Sequence, residues 1–150
     1  MQKNILTNRI NILHLSDTHS QHRRLTELPD ADILIHSGDF TMSGSEQEAL
    51  DFLNWFCDLS YPHKIFICGN HDACLYRANI DGLDKNVHYL CNSSVVIDGV
   101  KFYGVWKSHA TLTLLAEQDL PTFGYNMIDP LKSWCWGSIL FYPFKISRFS

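Results

Sequence analysis

The sequence predicts an α/β fold organised around a largely parallel sheet. Three short apolar segments occur in order, separated first by a connection and then by a helical segment. This order of strand, connection, strand, helix and strand is typical of parallel sheets. A group of polar residues directly follows each apolar segment. Because open α/β sheets bind ligands beyond the carboxyl ends of their strands, these polar groups are candidate parts of one site.

The first two strands are predicted within the first 35 residues. Ile12–Ser16 is a short, mainly apolar segment that predicts the first strand. Ile33–Ile35 is a continuous apolar triplet, as expected of an interior strand in a parallel sheet. Between them, residues 21–28 could form a short helix, which Pro29 would end because proline has no main-chain N–H donor.

A helix and the third strand follow. Ser45 and Glu48 have the spacing of a capping box, which marks the N-terminus of a helix. Apolar residues then recur at helical spacing, so residues 46–59 are predicted to form an amphipathic helix. Ile65–Cys68 is the third apolar segment and predicts the third strand.

A β-hairpin is predicted beyond the third strand. Val95–Ile97 and Val100–Tyr103 are apolar segments on either side of Asp98-Gly99. That dipeptide is a strong signal for a two-residue hairpin turn. The strands of a hairpin are antiparallel, so this part of the chain departs from the parallel pattern before it.

The last part of the sequence has an unusual composition. Residues 108–150 contain 8 of the 19 aromatic residues but only 6 of the 28 charged ones, without a clean periodicity. A helix is predicted only over residues 110–118. We therefore predict one domain over residues 1–107, followed at 108–150 by an atypical, aromatic-rich segment that is not a separate domain.

Composition favours a cytoplasmic globular protein. The chain has 150 residues, of which 45% are hydrophobic and 19% charged, and this length is sufficient to bury a core. A net charge of −4 argues against a basic nucleic-acid-binding patch. No apolar run reaches the roughly 18 residues of a membrane-spanning helix, so no membrane partner is expected. The five cysteines include no C-x-x-C pair, which favours a reducing compartment over a disulfide framework.

The polar groups after the three strands contain ligands that divalent metals prefer. They are Asp17-Thr18-His19, Gly38-Asp39 and Gly69-Asn70-His71-Asp72. Any one of them could be an ordinary turn with a capping residue. Together they supply carboxylates, imidazoles and an amide at consecutive strand ends, and these are the donor types of metal ions that catalyse phosphate hydrolysis.

In these three motifs the chain resembles the calcineurin-like metallophosphoesterases, which share a D-x-H, a G-D and a G-N-H-[D/E]. The resemblance covers about residues 10–106. Residues 36–48 and 95–104 also resemble the small single-domain branch that includes cyclic-nucleotide phosphodiesterases. The resemblance implies two mixed β-sheets packed face to face with helices outside, in an α/β/β/α order. This chain would form the amino-terminal part of that sandwich.

The resemblance also implies a set of metal ligands. Asp17 and His19 would hold a first ion, and Asp39 would bridge it to a second. Asn70 would bind the second ion through its amide oxygen, and a phosphate oxygen of the substrate as well. The family uses two divalent ions, and Mn²⁺, Fe²⁺ or Zn²⁺ is expected here.

Two further residues would act in catalysis by the same resemblance. His71 would face the substrate, where it would protonate the leaving oxygen or stabilise charge on phosphorus. Asp72 would accept the other ring N–H of His71 and so fix its tautomer. The implied function is hydrolysis of a phosphomonoester or phosphodiester substrate by a metal-activated water.

The sequence departs from the family after the third motif. The family completes its site with a later histidine and a G-H-x-H, whereas the only histidines after His71 are His88 and His109, neither in such a motif. The first ion would then keep three protein ligands and the second only two, so we expect one ion to be retained. Two alternatives to a working phosphoesterase stay open: a catalytically impaired metal-binding or regulatory module, and an unstable truncated product. An uncovered sheet and the aromatic segment Trp134–Phe149 would favour self-association.

Overall fold

The computed structural model describes residues 9–106, 111–116, 123–128 and 140–141. Among these residues the larger sheet has five strands, in the order β4-β3-β2-β1-β8, and every neighbouring pair is parallel. The predicted first three strands are present, although the third begins and ends two residues earlier than predicted. The strands are β1 (Ile10–Leu15), β2 (Ile33–His36), β3 (His63–Phe66), β4 (Val87–Tyr89) and β8 (Phe123–Ile128).

The described part of the smaller sheet has four strands, in the order β5-β6-β7-β9. The predicted hairpin is confirmed, because its two strands pair antiparallel and Asp98 and Gly99 both have positive φ, of 50° and 79°. Two positive φ values in sequence match the twist of a tight hairpin. The strands are β5 (Ser93–Ile97), β6 (Val100–Val105), β7 (Thr111–Ala116) and β9 (Leu140–Phe141).

The helix predicted over residues 110–118 is wrong, because β7 occupies most of that segment. Residues 111–116 pair antiparallel with β6 along their whole length. Thr and Leu alternate at the start of this segment, and β-branched threonine suits a strand. Pairing with β6 along the whole length of β7 therefore outweighs the weak helical preference of residues 110–118.

The one α-helix of the described residues, α1, spans Glu46–Asp58 and begins with the predicted capping box. Its apolar face packs on the larger sheet through Phe52 and Phe56, together with neighbouring core residues. The short helix predicted over residues 21–28 is reduced to a single 3-10 turn, His22–Arg24. Of residues 25–28, Leu25 and Leu28 are half-buried and the other two are exposed. Short helices depend on burial of an apolar face, so these residues do not support a second turn.

The two sheets pack face to face. Ile12, Ile35 and Ile65 from the larger sheet share a buried cluster with Val100 and Phe102 from the smaller one. The order of layers is therefore helix, sheet, sheet, which confirms the predicted α/β fold. Strands from residues 108–150 join both sheets, and the division of the chain at residue 107 stays a prediction. Most of Trp134–Phe149 lies outside the described residues.

Within the part of the chain that the structure describes, no helix has the length and apolar character needed to span a bilayer.

Candidate metal centre

The loops after β1 and β2 are joined by main-chain hydrogen bonds at the carboxyl edge of the larger sheet. Asp17 N–H donates to the Gly38 carbonyl at 3.0 Å, and His19 N–H donates to the Asp39 carbonyl at 3.0 Å. A third bond, from Ser20 N–H to the Phe40 carbonyl, measures 2.7 Å. The first two motifs therefore form one rigid unit, as expected for the carboxyl ends of neighbouring parallel strands.

Asp17, His19 and Asp39 bring their ligand atoms together in this unit. These atoms all lie within 4.8 Å of one another, and His19 Nε2 is 3.9 Å from Asp17 Oδ1. The Nδ1 of His19 is 3.1 Å from the Thr41 carbonyl. Because a carbonyl can only accept, Nδ1–H is the donor, so in the neutral ring Nε2 holds the lone pair that a metal ligand requires.

The buried Asp17 carboxylate tests whether the three residues fit a cation. Ser16 donates its hydroxyl to Asp17 Oδ2. The other oxygen, Oδ1, is buried and has no hydrogen-bond partner among the described residues. A buried carboxylate oxygen without a partner is costly. A divalent ion held by Asp17, His19 and Asp39 would remove that cost, so the three residues fit the predicted first metal site.

The backbone around the three residues is strained. Asp17, His19, Ser20 and Asp39 all have positive φ, between 40° and 61°. Residues other than glycine rarely adopt this left-handed backbone conformation, and each one that does costs about 1–3 kcal/mol of stability. Strain of this kind accumulates at functional sites, where the surrounding structure holds it in place.

Two glycines allow the second and third motifs to meet. A Cβ on Gly38 would lie 2.8 Å from the Gly69 Cα, and Gly38 also has a φ of 101°. A Cβ on Gly69 would lie 2.7 Å from both the Cγ and the main-chain N of Asp39. Only glycine therefore fits at either position without displacing the other loop.

The third motif places His71 beside the three residues. It begins a 3-10 segment, Asn70–Leu75, and His71 N–H donates to Asp39 Oδ1 at 3.0 Å. The rings of His71 and His19 meet edge to face with centroids 4.8 Å apart. The Nδ1 of His71 is 2.9 Å from the Met42 carbonyl. Nδ1 is thus the donor, and Nε2 is the nitrogen that remains available for chemistry.

The predicted contact between Asp72 and the His71 ring is wrong. The fully buried Asp72 carboxylate instead accepts main-chain N–H groups from Asp39 at 2.7 Å, Thr41 at 2.9 Å and Gly69 at 2.9 Å. Its side chain lies inside the loops, and the Met42 carbonyl takes the place predicted for it. Burial raises the pKa of Asp72 to about 6, against the lowering effect of the hydrogen bonds from Gly69 and Thr41.

The roles predicted for the other residues stay predictions. Asn70 is exposed at the start of the 3-10 segment, and its binding of a second ion stays a prediction, as do the catalytic roles of His71 and Asp72. His88 is half-buried on β4, at an edge of the larger sheet away from β1. His109 lies outside the described residues.

Sequence reasoning missed two residues that support the site. His36 is fully buried, accepts Gly38 N–H at 3.3 Å through Nδ1, and contacts the Thr18 hydroxyl at 3.0 Å through Nε2. Burial lowers the pKa of His36 well below 6.5, so the ring is neutral and connects the first two motifs. The second residue is Glu48, whose carboxylate accepts the Met42 N–H at 3.3 Å and the Ser20 hydroxyl at 3.0 Å in the loops of the site. Its capping-box position explained it fully at the sequence level, so no signal pointed to the loops.

Sequence comparisons find relatives of this chain among known proteins. A UPF0046 protein of Caenorhabditis elegans is 37% identical over 123 residues, covering 69% of this chain and 44% of that protein. Metallophosphoesterase domain-containing protein 1 of Homo sapiens is 31% identical, covering 82% of this chain and 38% of that protein. A probable rhamnogalacturonate lyase C of Emericella nidulans is 33% identical, covering 83% of this chain and 11% of that protein. The chain therefore spans less than half the length of each of these relatives.

The match to a whole family is broader than any of these pairs. The sequence model of the calcineurin-like phosphoesterases matches residues 10–135. That range contains all three motifs and extends beyond the resemblance at residues 10–106. The chain belongs to the calcineurin-like phosphoesterase family.

Proposed function

We propose that this chain is a metal-dependent phosphoesterase that hydrolyses a phosphomonoester or phosphodiester. The observation that supports it best is the group Asp17, His19 and Asp39, in which a buried Asp17 oxygen has no hydrogen-bond partner among the described residues and the Nδ1–H of His19 faces a carbonyl, so that Nε2 is the ring nitrogen left for a metal. Such a donor set suits Mn²⁺, Fe²⁺ or Zn²⁺. A bound divalent ion would supply Lewis acidity toward a phosphoryl oxygen and lower the pKa of water.

The protein residues would divide the remaining work. His71 reaches the site with Nε2 available, because its Nδ1–H donates to the Met42 carbonyl. When the ring is protonated, Nε2 also carries a proton, which it can give to the leaving oxygen. The positive charge of the ring would then also stabilise the phosphoryl group. The Asp72 carboxylate accepts the main-chain N–H of Asp39 and so fixes the position of Asp39. Asn70 is exposed beside this region and would contact a phosphate oxygen of the substrate.

We propose that one ion is held tightly. The first site has three protein ligands, whereas the second would have only Asp39 and Asn70. A second candidate function follows from this count: a metal-binding module with little or no hydrolytic activity. The described cysteines are free thiols, which supports a reducing compartment such as the cytoplasm.

Hydrolysis of an activated aryl phosphodiester separates the two functions. A phosphoesterase should show turnover that depends on added Mn²⁺. Asp39→Asn and His71→Ala should each lower that rate by about 10²–10³-fold, because each removes an electrostatic element at the reacting group. His88→Ala is the control and should retain the parental rate. A parent chain that binds Mn²⁺ without turnover would favour the metal-binding module.

His109 provides a second discrimination. It is the last histidine in the sequence and a candidate to replace an imidazole of the family's later motif. His109→Ala should leave both turnover and Mn²⁺ affinity unchanged if one ion is held by the first site alone. Loss of turnover in this variant, with a robust rate in the parent, would show that residues beyond 107 contribute to the site.

A further inference from the structure

The carboxylate of Glu48 makes more hydrogen bonds than a helix cap requires. A capping box needs the Ser45 N–H, which donates to Oε2 at 3.2 Å. Oε2 also accepts Ser43 N–H at 3.0 Å and the Ser43 hydroxyl at 2.6 Å. The other oxygen, Oε1, faces the metal loops and accepts Met42 N–H at 3.3 Å and the Ser20 hydroxyl at 3.0 Å. Glu48 thus connects α1 to two loops of the candidate site.

The bonds to Met42 and Ser43 determine where two carbonyl groups point. In a trans peptide the N–H and the preceding C=O lie in one plane and point in opposite directions. Met42 N–H faces Glu48, so the Thr41 carbonyl faces away and meets Nδ1 of His19 at 3.1 Å. Ser43 N–H also faces Glu48, so the Met42 carbonyl meets Nδ1 of His71 at 2.9 Å. Two consecutive peptide groups therefore lie between Glu48 and the two imidazoles.

The bond to Ser20 acts on the other loop. Ser20 directly follows His19, and both have positive φ, of 61° and 40°. Left-handed residues of this kind persist only where the surrounding structure holds them. The Ser20 hydroxyl donates to Glu48 Oε1. The Glu48 carboxylate therefore supports the strained turn at His19 and Ser20, and it also orients the Thr41 carbonyl that accepts from the His19 ring.

We infer that Glu48 is a positioning residue of the metal centre, which fixes the tautomer and orientation of the His19 and His71 rings through the peptide groups of residues 41–43. The inference rests on the proposed function for the roles of the two imidazoles. The Ser43 hydroxyl and the main-chain N–H groups of Ser43 and Ser45 hold the pKa of Glu48 well below its usual range. The carboxylate is therefore charged whenever the site would be in use.

Four variants separate positioning from helix capping. Glu48→Gln replaces one acceptor oxygen by a donor, and Ser20→Ala removes only the contact on the site side. Glu46→Gln is the matched control, because Glu46 is an exposed acid in the same first turn of α1. Ser45→Ala removes the cap hydroxyl, which accepts Glu48 N–H at 3.3 Å and donates to Oε2 at 3.0 Å, and it leaves the Oε1 contacts with Met42 and Ser20 in place.

Two measurements are made on each variant. Mn²⁺ affinity is measured by isothermal titration, and the tautomer of His71 in metal-free protein is measured by imidazole ¹⁵N NMR above the usual histidine pKa of about 6.5. Glu48→Gln and Ser20→Ala should raise the Kd for Mn²⁺ by about 10–100-fold, as for other residues that orient metal ligands. Glu48→Gln should also convert His71 from one Nδ1–H tautomer to a mixture. Glu46→Gln and Ser45→Ala should change the Kd by no more than about twofold.

The outcomes are distinguishable. If Glu48→Gln alters the Kd no more than Glu46→Gln does, and His71 keeps a single tautomer, Glu48 only caps the helix and the inference is overturned. If Ser45→Ala, which keeps the Oε1 contacts, weakens Mn²⁺ binding as much as Ser20→Ala does, the effect does not depend on those contacts and the inference is again overturned. A parent chain that binds no Mn²⁺ would refute the proposed function, while the tautomer measurement would still decide the role of Glu48.

Discussion

Replacing Gly69 with alanine tests the proposed metal centre where the loops after β2 and β3 meet. Gly69 has φ −89° and ψ −171°, an extended conformation that alanine adopts without strain. An effect of the substitution must therefore come from the new methyl group. That group would lie 2.7 Å from the Cγ and from the main-chain N of Asp39, and closer still to Oδ1.

The expected magnitude follows from these distances. Ordinary contact begins at 3.4 Å, so the Asp39 Cγ would have to retreat by about 0.7 Å and Oδ1 by more. The same Oδ1 accepts His71 N–H at 3.0 Å, so His71 would move with it. Crowding of this kind costs about 1–3 kcal/mol of stability. A displacement near 1 Å costs about 10²-fold in rate, and we expect Mn²⁺ affinity to fall by about 100-fold.

The assay combines Mn²⁺ titration with thermal unfolding followed by circular dichroism. Gly82→Ala is the control, because Gly82 has a φ of 84° with no atom of the described residues within 4 Å. It should lose about 1–2 kcal/mol from left-handed strain alone and should bind Mn²⁺ as the parent does. A folded Gly69→Ala protein with parental Mn²⁺ affinity would show that Asp39 is not a ligand, and the proposed centre would be wrong.

Three further predictions concern the whole chain. Elemental analysis after dialysis should find at most one equivalent of Mn, Fe or Zn, since the proposed first site would have three protein ligands and the second two; two equivalents on a monomer would contradict this. Burial lowers the pKa of His14 to about 4, so between pH 6.5 and 4 the unfolded chain binds more protons than the folded one. The free energy of unfolding should then fall by up to about 3 kcal/mol as the pH drops through that window, and urea titrations should show a smaller fall in His14→Asn. The aromatic, charge-poor segment at residues 134–149 should cause self-association at micromolar concentration, and a monomer in light scattering would argue against it.

Local sequence signals account for the elements that were predicted correctly. The capping box at Ser45 and Glu48 and the turn at Asp98-Gly99 each act over two to four residues, and both occur as expected. The three candidate ligands were also identifiable, because consecutive parallel strands end at one edge of a sheet. In each case the deciding interaction is close in sequence or follows from strand order.

The features that were missed depend on contacts between distant residues. Strand β7 forms because β6 offers a full-length partner, and β8 pairs with β1 although more than 100 residues separate Ile10 from Phe123. Neighbours in a motif can also face opposite ways, as His71 and Asp72 do. The sequence states which residues are present in G-N-H-D, but not which side chain enters the loop and which faces the site.

Two carboxylates that are not predicted ligands hold the loop after β2 along its length. Asp72 accepts N–H groups from residues 39–41, and Glu48 accepts those of residues 42, 43 and 45. With the N–H groups taken up on one side, the carbonyls of Thr41 and Met42 are left for the imidazoles of His19 and His71. The geometry of the candidate ligands is therefore set largely by residues that would never touch the ion. A chain that kept all the D-x-H, G-D and G-N-H-D ligands but lost Glu48 would still match the family, and it would hold its metal poorly.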